Sequence, residues 1–283
     1  IVFKSASKQE LLTPLQAIDV EISTGTPVHL LKPGEEDKLA LVLKNNYPNA
    51  NSCSLDVTLT NFAGEVVKLE KSFDIPADQQ VNWKLPWSKT NSRGIWYLDY
   101  ILKNTKGSVK HGRLSITYNT PAGPTAMEND DFQLGMCTRQ HRWSKNDQEV
   151  EAIACAYSGV KLLRTGYTWG SVEKEPGTFN FAPMDDLLAL NAKYNMNLLL
   201  IIGYTPKWAA APERQASKDW NDWNKSAPNK EALRKYTRAL SERYNDKVTY
   251  WEFWNEPDLG FRRGTLDDYI ACLKVVYEAL KQS

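Results

Sequence analysis

From residue 132 to its end the sequence repeats one grammar four times: an apolar run, a polar and aromatic loop, then a helical pattern. The apolar runs lie at 132–137, 160–165, 197–203 and 248–254. Ser144 and Asp147 form an S-x-x-D pair that opens a helix ending near Gly159. Pro183 sits in the first turn of the next helix, and Pro228 opens a third that runs to about Tyr244. Thr265 and Asp268 cap the last helix, whose Leu266, Ile270, Leu273, Tyr277 and Leu280 mark one apolar face.

Four consecutive strand–helix units require a parallel sheet with right-handed crossovers. These units could start a doubly wound fold, but no glycine-rich phosphate loop follows any of the four strands. Polar and aromatic residues gather instead after each strand's C-terminal end. That distribution predicts a (β/α)8 TIM barrel, of which these four βα units are the first half. The third strand is apolar throughout, as expected when both sheet faces are covered. Its Leu198, Leu200 and Ile202 are expected to face the barrel interior.

Upstream the grammar is period two. Leu55-Asp56-Val57-Thr58-Leu59-Thr60 alternates and meets a turn at Asn61-Phe62-Ala63-Gly64. Further strands read at 38–43, 66–73, 81–85, 94–103 and 112–118. Short strands at this spacing predict an antiparallel immunoglobulin-like β-sandwich over 1–120, serving as a spacer rather than a sugar-binding module. Pro121, Gly123 and Pro124 then mark a linker over 121–131, and the half-barrel domain occupies 132–283.

Composition narrows the function classes. A net charge of +1 gives no electrostatic case for nucleic acid or a membrane surface. No apolar run is long enough to span a bilayer, and none at the start resembles a signal peptide. Ile1 in place of Met leads to the expectation of a processed product or an excised segment. Cys53, Cys137, Cys155 and Cys272 lie too far apart for metal-ligand spacing and are expected to be buried free thiols. No metal and no organic cofactor is expected. Ten tryptophans and thirteen tyrosines supply flat faces suited to sugars, though large rings also fill cores.

The chemistry concentrates at Tyr250-Trp251-Glu252-Phe253-Trp254-Asn255-Glu256-Pro257. An apolar strand delivers an amide and a carboxylate side by side, and Pro257 ends the extended run. Alternation alone puts Glu252, Trp254 and Glu256 on one face and Asn255 on the other. For Asn255 and Glu256 to share a pocket, the strand must bulge or turn at its end. Arg164 ends the buried run Val160-Lys161-Leu162-Leu163, where an unpaired guanidinium would be costly, so it must face acidic groups.

This segment resembles the acid/base strand of the retaining glycoside hydrolases of clan A, whose fourth barrel strand ends in Asn-Glu, often followed by Pro. The loop from Trp169 to Phe181, with Glu175-Pro176-x-Gly-x-Phe-x-Phe, is similar to the clan's second loop. Pro206-Lys207-Trp208 resembles the Pro-x-Trp loop of xylosidase-like and related members, including family thirty-nine. The resemblance implies Glu256 as acid/base, Asn255 bonded to a sugar 2-hydroxyl, and Arg164 orienting the nucleophilic carboxylate. The alternative for Arg164 is a structural ion pair with Glu252 or Glu256. Trp169 is either a sugar-stacking platform or a core residue. Tyr204 and Trp208 are expected to line subsites. His141 is either a ligand to a sugar hydroxyl or a satisfied loop residue. Asp258 and the Trp220–Trp223 insertion are placed to reach more distant sugar units.

The expectation is therefore a secreted or periplasmic glycoside hydrolase cleaving β-linked glycans with retention, its carbohydrate substrate the main partner. The nucleophile strand is expected to be absent from this chain. The chain is then inactive alone, and it self-associates or pairs with a C-terminal barrel half. Two rivals are a non-catalytic carbohydrate-binding protein and a half-barrel assembly module.

Overall fold

The computed structural model describes residues 13–87, 93–120 and 133–282. The linker expected over 121–131, the start of the strand expected at Phe132, and Ser283 lie outside the described residues. The chain forms two compact units, Ile1–Pro121 and Ala122–Ser283.

The first unit is all-β: β1 Ile18–Ser23, β2 Leu30–Leu31, β3 Ala40–Asn45, β4 Asn51–Asn61, β5 Val66–Ile75, β6 Gln80–Lys84, β7 Gly94–Asn104 and β8 Val109–Tyr118. One sheet has the order β1-β3-β6 and the other β2-β8-β7-β4-β5. The antiparallel expectation needs one correction, because β2 runs parallel to β8 and the larger sheet is mixed. Alternation does the rest. Leu55, Val57 and Leu59 of β4 pair with Leu102, Tyr100 and Leu98 of β7, all of them buried. They join Leu41 and Leu43 of β3 and Ile18 of β1 in one core fed by both sheets.

The second unit follows the strand–helix grammar. Its main elements are β9 Gly135–Cys137, α1 Lys145–Tyr157, β10 Leu162–Thr165, α2 Trp169–Val172, β11 Glu173–Glu175, β12 Thr178–Phe179 and α3 Ala182–Lys193. They continue with β13 Asn197–Ile202, α4 Pro212–Gln215, α5 Trp220–Asn224, α6 Lys230–Tyr244, β14 Tyr250–Phe253 and α7 Leu266–Lys281. Strands β9, β10, β13 and β14 pair in the order β14-β13-β10-β9, every pair parallel. Ser144 caps α1, and Thr265 with Asp268 makes a reciprocal capping box on α7.

Two orientations differ from expectation. Leu198, Leu200 and Ile202 pack with Leu187, Leu233 and Leu240 of the helices, not on the inner side of the curl. Their neighbours Leu199 and Ile201 share the other face, in register with Arg164 and Glu252 respectively. A period-two strand fixes which residues share a face but not which face the helices cover. The same applies to α7. The stripe Leu266, Ile270, Leu273 and Tyr277 is exposed, at 71%, 39%, 40% and 61%, while Cys272, Val275, Val276 and Ala279 are buried. Leu280, the last residue of the expected face, does pack against the core.

The cysteines are free, as expected, and Cys53, Cys155 and Cys272 are buried; Cys137 is exposed. Burial pushes the Cys53 and Cys155 thiols up to about 11. No helix among the described residues is long and apolar enough to cross a membrane.

Candidate active site

A cleft of about 310 Å³ opens where the four parallel strands end. Each strand contributes through the segment that follows it: His141 after β9, Arg164 and Tyr167 at and after β10, Tyr204 after β13, and Asn255, Glu256 and Phe261 after β14. The C-terminal edge of a parallel sheet is where such a fold collects functional side chains, because the connecting loops vary there without disturbing the core.

The end of β14 makes the decisive turn. Trp254 extends the ladder by one bond, its N–H donating to Ile202 O at 2.9 Å, and then leaves it with a φ of 71°. Glu256 also has a positive φ, 40°. Left-handed backbone is costly for residues with a Cβ and persists only where surroundings enforce it. Here Trp254 is the anchor, 2% exposed, with its indole N–H donating to Phe261 O at 2.9 Å. The double twist replaces strict alternation, so Asn255 and Glu256 both line the cleft. This is the break from alternation that brings the side chains of Asn255 and Glu256 into one pocket.

A chain of hydrogen bonds runs through the site. Arg164 donates from Nε and Nη2 to the two carboxylate oxygens of Glu252, each at 2.6 Å. The same Nη2 donates to Asn255 Oδ1 at 2.8 Å, and Asn255 Nδ2 donates to Glu256 Oε2 at 3.1 Å. A guanidinium has no acceptor, so it fixes the amide with oxygen toward Arg164 and nitrogen toward Glu256. The Glu252 carboxylate, accepting these bonds, holds the guanidinium proton more tightly than usual. Cys137 Sγ accepts from Arg164 Nη1 at 3.3 Å. Of the two partners weighed for Arg164, the structure selects Glu252.

Glu256 itself is exposed, with less shielding from Trp254 and Pro257 than the sequence suggested. It is the one carboxylate in the described lining of the cleft. Tyr204 is half-buried; burial pushes its phenol up, and a hydrogen bond with Asn255 works against that shift. His141 approaches Thr165 Oγ1 through Nδ1 at 3.4 Å and meets the Tyr167 ring edge-on. Burial lowers its pKa first, and the Arg142 and Arg139 charges lower it further, so a neutral imidazole faces the cleft at pH 7. Buried Gln140 pins this loop by donating to Gln148 O and accepting from Asn191 Nδ2.

Two candidate ligands lie elsewhere, and for Trp169 the core alternative holds. Trp169 is 1% exposed, stacked on Tyr236 at 4.8 Å, with its indole N–H donating to Glu173 Oε2 at 2.6 Å. A ring closed on these sides is core and offers no face to a sugar. Trp208 is half-buried and borders a neighbouring cavity, not the Glu256 cleft. Asp258 is exposed and outside the cleft lining. Tyr167 and Phe261 were missed. Tyr167 stands three residues beyond Arg164 and was open to the strand-end rule, whereas Phe261 returns to the cleft only through the fold of its loop.

Comparison with known proteins bears on this geometry. Residues 124–263, just under half of the chain, match the model of Glycosyl hydrolase family 10. Beta-galactosidase BgaH of Haloferax lucentense is 29% identical over 140 residues, which cover 44% of this chain and 21% of that protein. Beta-galactosidase Bga of Halorubrum lacusprofundi is 27% identical over 143 residues, covering 44% and 20%. The chain thus spans about a fifth of the length of these curated relatives. A family 39 glycoside hydrolase from the gut symbiont Bacteroides cellulosilyticus superposes with a TM-score of 0.58 at 17% identity, over 93% of this chain and 48% of that one. That likeness speaks for the fold. The chain resembles the clan A glycosidases in sequence over residues 124–263, and the architecture of its second unit is TIM-barrel-like.

Proposed function

We propose that this chain carries the acid/base half of a retaining β-glycosidase site, with Glu256 as the proton donor. One observation carries the reading: the Glu252–Arg164–Asn255–Glu256 hydrogen-bond chain at the mouth of a strand-end cleft. In the first step Glu256 gives its proton to the glycosidic oxygen as the C–O bond breaks, and a carboxylate on the opposite face bonds to the anomeric carbon. In the second, Glu256 takes a proton from water as water displaces that carboxylate. Asn255, its amide oriented by Arg164, donates to the sugar 2-hydroxyl. Tyr204 and His141 contact the same sugar.

Retention needs a second carboxylate about 5 Å from the first. The described cleft lining holds Glu256 alone, and Glu252 is engaged by Arg164 through both oxygens. This chain alone is therefore expected to bind glycans with negligible turnover. The names of the curated relatives make a β-galactoside the first substrate to try. The first unit is read as an immunoglobulin-like sandwich acting as a spacer. The lone carboxylate also suits a carbohydrate-binding protein that has no chemistry.

The test is an NMR titration of the 283-residue chain with a β-linked oligogalactoside, alongside an assay for release from an aryl β-galactoside. Shifts at Tyr204 and His141, lost in Asn255→Ala, support the reading. Saturable binding that leaves the cleft untouched contradicts it, as does turnover that survives Glu256→Gln.

A further inference from the structure

Beside the Glu256 cleft lies a larger cavity of about 690 Å³, and Thr168 borders both. Its walls come from the α2–β11 segment and from the long insertion between β13 and α6. Two tryptophans, Trp208 and Trp223, and two lysines, Lys174 and Lys207, line it, and its described lining contains no carboxylate. Of the acids nearby in sequence, Glu175 and Glu213 are exposed and outside that lining, and the other three, Glu173, Asp219 and Asp222, are engaged elsewhere. Glu173 is turned inward, accepting from Trp169 Nε1 and from the Gly177 N–H at 2.7 Å. Asp219 and Asp222 of the insertion pair with Arg263.

The walls are fixed before any ligand arrives. Trp208 donates its indole N–H to Glu173 O at 3.1 Å and sets its ring edge-on to Trp169. Gln215 donates to Trp208 O and Ala210 O at 3.2 and 2.7 Å. The insertion is tied to the β13 exit by the Thr205 N–H donating to Asn224 O at 3.0 Å.

We propose that this cavity is a distal subsite for an anionic sugar residue, bearing a carboxylate or a sulfate ester, within a glycan whose cleavage point lies at Glu256. The proposal rests on the glycosidase reading and adds substrate charge to it. Indole rings bury the apolar C–H faces of a pyranose. Ammonium groups on flexible stems have no acceptor among those faces, and a wall without carboxylates does not offset their charge. An anion on the sugar supplies the missing partner. A glycan running past Thr168 would present one unit to each cavity.

The test uses three matched probes: a neutral β-linked oligogalactoside, the same oligomer oxidised to uronate at C6, and its sulfated form. Affinities for the 283-residue chain are measured by calorimetry at two ionic strengths. The anionic oligomers are expected to bind about tenfold more tightly at low salt, as two solvent-exposed charge contacts allow, and the preference should shrink as salt rises. The uronate and sulfate arms show which anion the site takes. Lys174 and Lys207 are exposed, so a Lys174→Gln/Lys207→Gln variant should fold with an unchanged melting temperature. It is expected to lose the preference while keeping its affinity for the neutral oligomer. Equal affinity for neutral and anionic probes, or a preference that survives in the double variant, overturns the subsite and leaves the glycosidase reading standing. Failure of every oligomer to bind overturns both.

Discussion

Arg164 and Glu252 meet as a two-pronged ion pair across the intervening strand β13, with both N–O distances 2.6 Å. Both side chains are about seven-tenths buried, so this pair sits between an exposed contact and a core one. Arg164→Ala would leave the Glu252 carboxylate without its cation and Asn255 without its donor. Its expected cost is about 2–3 kcal/mol of folding stability, between the values for surface and buried pairs. A urea denaturation midpoint at neutral pH checks this, and an unchanged midpoint would remove the pair from the account.

Asn255 accepts on one side and donates on the other, and two substitutions separate those duties. Asn255→Asp keeps the oxygen for Arg164 but replaces the donor facing Glu256 with a second anion. Stability should stay within about 1 kcal/mol, because the bond to the guanidinium becomes charge-assisted. Glycan binding should fall nonetheless. Asn255→Ala should lower both, as read by thermal melting and calorimetric titration.

His141 gives the site a pH dependence with a definite sign. Its folded pKa is depressed by burial and by Arg142 and Arg139, so near the ordinary value of 6.5 the unfolded chain binds the proton more readily. Stability is then complete above about 6.5 and declines as pH falls through that value toward the folded pKa. His141→Gln should flatten this decline in melting curves taken between about pH 7 and pH 5. An identical slope in both proteins would show that the imidazole is not held neutral.

The two faces of α7 should respond in opposite ways. Val276, 3% exposed, is expected to cost about 1–3 kcal/mol on truncation to Ala. Leu273→Lys, on the exposed stripe, should change stability by less than about 0.5 kcal/mol. Urea denaturation of the two variants separates them.

These faces also show what periodicity carries and what it does not. Helix α7 has two apolar stripes, and spacing alone cannot say which meets the sheet; packing against the core chose Val275, Val276 and Ala279. Strand β13 poses the same ambiguity in period two, and the helices took the face of Leu198 and Leu200. Strand β1 is legible in the alternation Ile18-Asp19-Val20-Glu21-Ile22, upstream of the first expected strand at 38–43, and two-residue β2 carries too little pattern to be seen. The four parallel strands, Arg164 facing an acid, and Asn255 beside Glu256 were legible because buried charge and strand-end chemistry leave few alternatives. Trp169 was undecided for the opposite reason. A tryptophan suits a sugar face and a core equally until its neighbours are known.

The central claim is that Glu256 performs proton transfer at a sugar's anomeric centre. It is tested most directly by incubating this chain with an α-galactosyl fluoride and a sugar acceptor. The fluoride stands in for the glycosyl-enzyme intermediate: Glu256 takes the acceptor hydroxyl proton as the new C–O bond forms and the C–F bond breaks, releasing fluoride. Mass spectrometry is expected to find a slowly formed β-linked disaccharide, absent with Glu256→Gln. No transfer product from the wild-type chain, or equal product from both proteins, would contradict the account.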